Sequence, residues 1–178
     1  MSELKSEVCL FCKEKTLTLR EETYNIPHFG KCFLMSMSCS SCNYNSSDVE
    51  AEEQKPPTRQ TFTLENKKDL NIRVIKSSEA TVKIPQLKMD VTPGVASSGY
   101  ISNIEGLLLR FKKIIEKERD SNDEPEVKKH AKNLLKKLWK AELGEFPLKI
   151  IIEDPSGNSA IISEKTEVQQ LKKSSKPD

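Results

Sequence analysis

The chain of 178 residues is poor in the side chains that most catalytic and base-stacking sites use. It holds two histidines and one tryptophan, and aromatic residues make up 6% of it. Two histidines are too few for a His-rich catalytic metal cluster, and the sparse aromatics are not interleaved with basic residues as in surfaces that stack nucleic-acid bases. The sequence contains no P-loop, no Gly-x-Ser-x-Gly motif and no Gly-rich phosphate loop. We therefore expect that this protein is not an enzyme.

Long apolar segments are also missing. No stretch approaches the roughly 18 apolar residues of a membrane-spanning helix, and the first residues lack the basic start and apolar core of a secretory signal. Hydrophobic residues make up 35% of the chain and charged residues 31%, which is polar for a globular protein but above a disordered composition. We expect a protein of a reducing compartment, the cytoplasm.

Four cysteines form two identical pairs, which dominate the sequence. Cys9 and Cys12 make one C-x-x-C motif, and Cys39 and Cys42 make a second after 26 intervening residues. Each turn can place two sulfur atoms about 2.3 Å from a metal ion, and two turns complete a tetrahedral shell. The pattern predicts one structural Zn²⁺, because four protein ligands leave no coordination position for a substrate.

A redox role is the alternative for these cysteines. A single C-x-x-C motif beside a strand-helix-strand unit would suggest a thioredoxin-like pair, and disulfide pairing is a related possibility. The duplication of the motif and the lack of such a unit favour zinc. The fifth cysteine, Cys32, lies in an apolar run and is interpreted as a buried hydrophobic residue.

The first 55 residues are predicted to form a zinc ribbon. Strand-like segments at residues 16–19 and 31–38 lie between the cysteine pairs, with turn-forming residues and His28 between them. Residues 45–58 are polar and are interpreted as a linker or an exposed connection. Residues 1–55 hold 6 basic and 9 acidic side chains, and this negative balance argues against nucleic acid as the target of the ribbon.

Residues 56–170 are predicted to form a mainly β domain with a helical insertion, followed by a frayed tail at 171–178. Short β-type segments at 60–64, 70–76, 80–84, 87–91, 148–152 and 160–162 suggest a sandwich or a barrel. Apolar residues at three- and four-residue steps predict two helices within residues 103–143, joined as an antiparallel hairpin that carries His130. Ser102 and Glu105 suggest a capping box at the first helix, Pro125 suits the start of the second, and Gly144 suits its end.

Several motifs occur in a fixed order along the chain. They are Cys9-x-x-Cys12, then Met37-Ser38-Cys39-x-x-Cys42-x-Tyr44, residues 69–77, residues 80–87, Pro93-Gly94, residues 104–108 and residues 152–159. Together they resemble the ZPR-type zinc-finger family over roughly residues 6–165. The chain carries one such module, as the archaeal members do, whereas the eukaryotic members carry two in tandem.

The resemblance implies both a fold and a partner. The fold would be a zinc ribbon, similar to that of some translation initiation factors, followed by a double-stranded β-helix with a helical hairpin. The partner would be translation elongation factor one-alpha, the GTPase that delivers aminoacyl-tRNA, whose newly made chain family members are thought to help fold. The alternative function is a zinc-ribbon factor that binds nucleic acid in transcription or translation.

Six polar residues in the best-matched β segments are candidates for the partner surface: Asp69, Asn71, Arg73, Lys76, Asp154 and Asn158. Structural roles compete with this interpretation. The segment 154–158 has ordinary turn composition, Asn71 and Arg73 could be the outward face of a strand, and Arg73 could form an internal ion pair. Glu105 is expected to cap a helix rather than to contact a partner.

Overall fold

The computed structural model describes residues 2–26, 30–53, 55–95 and 97–171. The first unit is a four-stranded antiparallel sheet in the order β1-β2-β3-β4. Its strands are β1 (Ser2–Glu7), β2 (Leu17–Ile26), β3 (Gly30–Cys39) and β4 (Asn45–Ala51). The strands predicted at 16–19 and 31–38 are therefore present, and both are longer than predicted.

Strand β4 corrects the interpretation of residues 45–58 as a linker. Its residues are mostly polar, but Val49 is buried and pairs with Leu34 of β3. The strand is held by the backbone ladder and by a single apolar anchor, so its composition alone resembles that of a loop. Strands β1 and β12 (Glu167–Gln170) were missed for the same reason, because their described residues are exposed throughout.

The second unit contains seven further strands besides β12: β5 (Thr58–Leu64), β6 (Arg73–Lys76), β7 (Thr81–Ile84), β8 (Met89–Val91), β9 (Tyr100–Asn103), β10 (Leu148–Asp154) and β11 (Ala160–Ile161). They form a five-stranded sheet in the order β12-β5-β10-β7-β8 and a three-stranded sheet in the order β11-β6-β9, both antiparallel. Both sheets contribute to one apolar core, for example Phe62 and Ile150 from the first and Val74 from the second. The predicted mainly β, barrel-like class is confirmed.

Two predicted strands begin as short 3₁₀ helices. Within the segment 70–76, a 3₁₀ helix at Lys67–Asn71 precedes β6, because Asn66 and Asp69 form a reciprocal capping box. Within 87–91, a 3₁₀ helix at Pro85–Leu87 precedes β8. The sequence did not reveal these turns, because helices of five and three residues are too short to show a period of three.

The helical hairpin is confirmed as α1 (Ile104–Ser121) and α2 (Pro125–Glu142). Pro125 begins α2, and Gly144 follows it with a φ of +77°, where a glycine is favoured. The predicted capping box at Ser102 is wrong. The N-cap is Asn103, whose side chain accepts a hydrogen bond from the Gly106 amide at 2.8 Å. The buried faces of the helices pack on the β core.

The two units meet through a small apolar cluster around Cys32, Val49 and Ile75. Cys32 is fully buried there, as predicted. The Gly99 amide also donates a hydrogen bond to Asp48 at 2.6 Å, which ties the loop before β9 to the ribbon.

Some sequence-based expectations concern residues that the structure does not describe. His28 and most of the tail at 171–178 lie outside the described residues. His130 is exposed on α2. Among the described residues no helix is long and apolar enough to cross a membrane.

Candidate metal centre

The two C-x-x-C motifs form matching turns at one end of the ribbon sheet. The Cys9 amide donates to the Glu14 carbonyl at 2.9 Å, and the Cys39 amide donates to the Tyr44 carbonyl at 2.8 Å. Each turn also contains one residue with a positive φ, Lys13 in the first and Asn43 in the second. The matching hydrogen bonds and positive φ values give the two turns a similar shape. Their four sulfur atoms converge on one point.

The four sulfur atoms lie within 4.8 Å of one another. The distance from Cys9 Sγ to Cys42 Sγ is 3.7 Å, and that from Cys12 Sγ to Cys39 Sγ is 3.6 Å. A tetrahedron with Zn–S bonds of about 2.3 Å has edges of about 3.8 Å, so the spacing suits zinc. All five cysteines are free thiols in the structure, which does not support disulfide pairing.

Hydrogen-bond donors at Cys9 and Cys39 favour the thiolate form that a metal requires. At Cys12 the Glu14 amide lowers the pKa, but burial and the neighbouring thiols raise it to about 12. The Thr16 hydroxyl lies 3.2 Å from Cys39 Sγ and, with the Cys42 amide, holds the pKa of Cys39 at about 6. The backbone amides of Cys12 and Phe11 lower the pKa of Cys9. These donors stabilise negative sulfur, so the site can hold a divalent cation and, once four thiolates are bound, offers no position for catalysis.

Thr16 is a functional residue that the sequence did not reveal. It precedes β2 and reaches the second cysteine pair only because β2 and β3 are paired, with Leu17 opposite Cys39. Its hydroxyl oxygen also lies 3.0 Å from the Ser41 hydroxyl oxygen. A threonine four residues after a cysteine has no distinctive pattern, so only the strand register identifies it.

The first of the two turns exposes two apolar side chains. Leu10 is 68% exposed and Phe11 is 66% exposed, although the Phe11 ring lies 4.4 Å from the ring of Tyr44. On the inner side Leu17 is buried beside Cys9 and Cys39. The metal site therefore presents two large apolar side chains on a turn that its own hydrogen bonds hold in place.

The six residues proposed for a partner surface fall into two groups. Asn71 and Arg73 are exposed, and Arg73 forms no ion pair with any residue that the structure describes. Asp69 is buried, accepts the Glu65 amide at 3.0 Å and pairs with Lys165 at 3.3 Å. Lys76, Asp154 and Asn158 are buried as well.

Asp154 organises the turn that follows β10. Its carboxylate accepts the Ser156 amide at 2.8 Å, the Ser156 hydroxyl at 2.7 Å and the Ser159 hydroxyl at 2.6 Å. Burial raises the pKa of this carboxyl, but the Ser159 and Ser156 donors outweigh it and the pKa lies below its usual value. This geometry matches the turn role that competes with partner contact. Glu105 is exposed in the first turn of α1.

Comparison with known proteins covers both units. The family model of the ZPR1 zinc-finger domain matches residues 3–56, and that of the ZPR1 jelly-roll domain matches residues 68–176. A ZPR1-like protein of Pyrococcus horikoshii is 34% identical over 177 residues, which cover 97% of this chain and 79% of the relative. A ZPR1-like protein of Methanocaldococcus jannaschii is 35% identical over 164 residues, 92% of this chain and 83% of the relative.

A eukaryotic relative is matched over a smaller share of its length. The zinc finger chaperone zpr1 of Schizosaccharomyces pombe is 32% identical over 158 residues. These residues are 86% of this chain but 34% of the relative. The chain thus corresponds to about a third of that chaperone and to most of each archaeal protein.

Proposed function

The chain belongs to the ZPR1 family, and from that premise we propose that this zinc-binding module binds translation elongation factor one-alpha and assists its folding. The word chaperone in the name of the fission yeast relative supports a protein partner. The partner itself is the one that the family resemblance implies. We place the protein in the cytoplasm, where that factor is made.

The observation that carries the proposal is the apolar tip, Leu10 and Phe11, on the metal-binding turns. Large apolar side chains on a fixed turn lose little conformational entropy on binding, so they suit the centre of a protein interface. The acidic ribbon favours a protein over nucleic acid as the partner.

A folding helper must bind an incomplete client more tightly than the finished one. We propose that this module holds a partly assembled elongation factor, and that closure of the GTPase around its nucleotide weakens the contact. The four thiolates act only by fixing the turns, since a closed sulfur shell takes no part in a reaction. On this view the protein is a binding module and not an enzyme.

The test is binding of the purified elongation factor in nucleotide-free, GDP-bound and GTP-bound forms. We expect tightest binding to the nucleotide-free form. The double variant Leu10→Ser, Phe11→Ser should lose at least about tenfold in affinity, about 1.4 kcal/mol, while it keeps its metal. Val168→Ser, which removes an apolar side chain that is 61% exposed on β12, is the matched control and should bind normally.

Two results would contradict the proposal. Equal affinity for all three nucleotide states would show that the module docks on the factor without assisting its folding. Failure to bind the factor in any nucleotide state would show that it is not the partner.

A further inference from the structure

A cleft of about 300 Å³ lies at the junction of the two units, between β9, α1 and the loop before β9. Lys76 and Arg110 line it, together with Tyr100 and Gly99. Its volume is at the lower end of the range for small-ligand sites. It is separate from the metal centre, since none of the four ligand cysteines lines it.

Two cations that have no carboxylate partner among the described residues line this cleft. Lys76 is 5% exposed, and its ammonium group donates to the Ser77 carbonyl at 2.8 Å. The Arg110 guanidinium stacks 4.0 Å from the centre of the Tyr100 ring and donates to the Gly106 carbonyl at 3.1 Å. Within the described parts of the chain neither cation has an acidic group at ion-pair distance.

A buried ammonium group without a counter-ion is costly, because desolvation disfavours its charge. Burial accordingly lowers the pKa of Lys76, and the fields of Asp154 and Asp48 oppose that shift only in part. An anion in the cleft would recover interaction energy that the protein alone does not supply to Lys76.

The two nearby carboxylates act on Lys76 only through their fields, because neither lies at ion-pair distance and both are held by other donors. Asp48 accepts the amides of Val49 at 2.8 Å and Gly99 at 2.6 Å. Asp154 is held by Ser156 and Ser159 in the turn after β10. Among the described residues no carboxylate contacts the Lys76 ammonium group, so a directly bound counter-ion would be an external anion.

Hydroxyl groups indicate which anion would fit. Ser47, Ser97 and Ser98 also line the cleft, and none of them forms a side-chain hydrogen bond with another described residue. Two cations and several hydroxyl donors match a tetrahedral phosphate, which has more acceptor oxygens than a planar carboxylate. We propose that the cleft between β9 and α1 binds a phosphate group, free or carried by a nucleotide.

The shape of the cleft is fixed by a close backbone approach. A Cβ atom at Gly99 would overlap the Val49 carbonyl oxygen and would come within 3.1 Å of the Lys76 carbonyl oxygen. Only glycine allows this loop to bring its own backbone, β4 and β6 together. The donors are thus pre-positioned, which reduces the entropy that binding must overcome.

The test is a titration of the ¹⁵N-labelled full chain at constant ionic strength, followed through the amide signals of Lys76, Gly99 and Tyr100. Inorganic phosphate, ATP and acetate are the three ligands. We expect saturable shifts with phosphate and ATP and much weaker ones with acetate. Tighter binding of ATP would identify a nucleotide as the source, and equal or weaker binding would identify free phosphate.

Arg110→Gln should weaken phosphate binding at least about tenfold. Arg110 is exposed, so the variant should fold normally. Lys76→Met tests the buried cation, and its folding is checked by the thermal transition. Lys113→Gln, which removes an equal charge from an exposed position on α1 outside the cleft, is the control and should bind as the parent does. Shifts that do not saturate, equal affinity for acetate, or undiminished binding by Arg110→Gln would overturn the proposal.

Discussion

At the scale of single residues, Thr16 illustrates how a side chain outside a motif tunes the metal site. Thr16→Val removes the hydroxyl beside Cys39, so the pKa of this thiol should rise. Protons then compete with the metal at higher pH. Loss of such supporting groups typically costs about 10–100-fold in metal affinity.

We therefore expect the midpoint of acid-induced zinc release, followed with a chromogenic chelator, to move to higher pH in Thr16→Val. Thr18→Val, a matched change two residues further on in β2, should leave it in place. An unchanged midpoint in Thr16→Val would show that the hydroxyl does not stabilise the thiolate.

Asp154 gives a second residue-scale prediction. Asp154→Asn replaces a buried acceptor of three hydrogen bonds with an amide that cannot accept them all, so it should reduce the free energy of unfolding by about 3 kcal/mol at pH 7. Because the folded pKa of Asp154 is lowered, its stabilisation is present above the unfolded pKa near 3.9 and is lost as pH falls through the folded value.

Urea unfolding at pH 7 and pH 3 measures this difference. The gap between the parent and Asp154→Asn should narrow in acid. Asp123→Asn, at a fully exposed carboxylate, should match the parent at both pH values. A gap that widened in acid would mean that the carboxylate is not stabilised by the turn.

The metal-binding residues could be predicted from sequence, while the rest of the site could not. Two C-x-x-C pairs encode their geometry locally, since each turn places two sulfur atoms by itself. The environments of Lys76 and Asp154 depend on contacts between distant segments, such as the hydrogen bond from the Ser77 amide to the Ser159 hydroxyl at 3.0 Å. No local pattern reports such a contact.

At the scale of elements, the start of α1 tests the corrected cap. Asn103→Ala should reduce the free energy of unfolding by about 1 kcal/mol, because the Gly106 amide loses its acceptor. Ser102→Ala should have a smaller effect. If urea unfolding showed a larger loss of unfolding free energy for Ser102→Ala than for Asn103→Ala, Ser102 would be the cap, as the sequence suggested.

Helices were easier to predict than strands for a physical reason. The apolar stripes of α1 and α2 repeat over 18 residues each, so the period is well determined. Strand β4 has one buried residue, and Lys67–Asn71 closes a turn through Asn66 and Asp69 side chains. Short elements that are stabilised mainly by hydrogen bonds have too few buried apolar residues to be predicted from the hydrophobic pattern.

At the scale of the whole molecule, Gly99 joins the ribbon to the jelly-roll domain. Gly99→Ala would press a methyl group against the Val49 carbonyl oxygen, and we expect a loss of about 1–3 kcal/mol. Gly94→Ala is the control, since nothing lies within 4 Å of its added carbon. Thermal unfolding measures the transition temperatures of the two variants. Equal temperatures would show that the junction accommodates the methyl group at no cost in stability.

The central claim is that one zinc ion, bound by four cysteines, orders the ribbon and thereby the surface that binds the elongation factor. It is tested most directly by measuring zinc per chain in the purified protein and in Cys39→Ser, with Cys32→Ser as the control. We predict one zinc in the parent and in Cys32→Ser, and loss of both the metal and elongation factor binding in Cys39→Ser. A folded parent without zinc, or equal zinc in Cys39→Ser, would contradict the account.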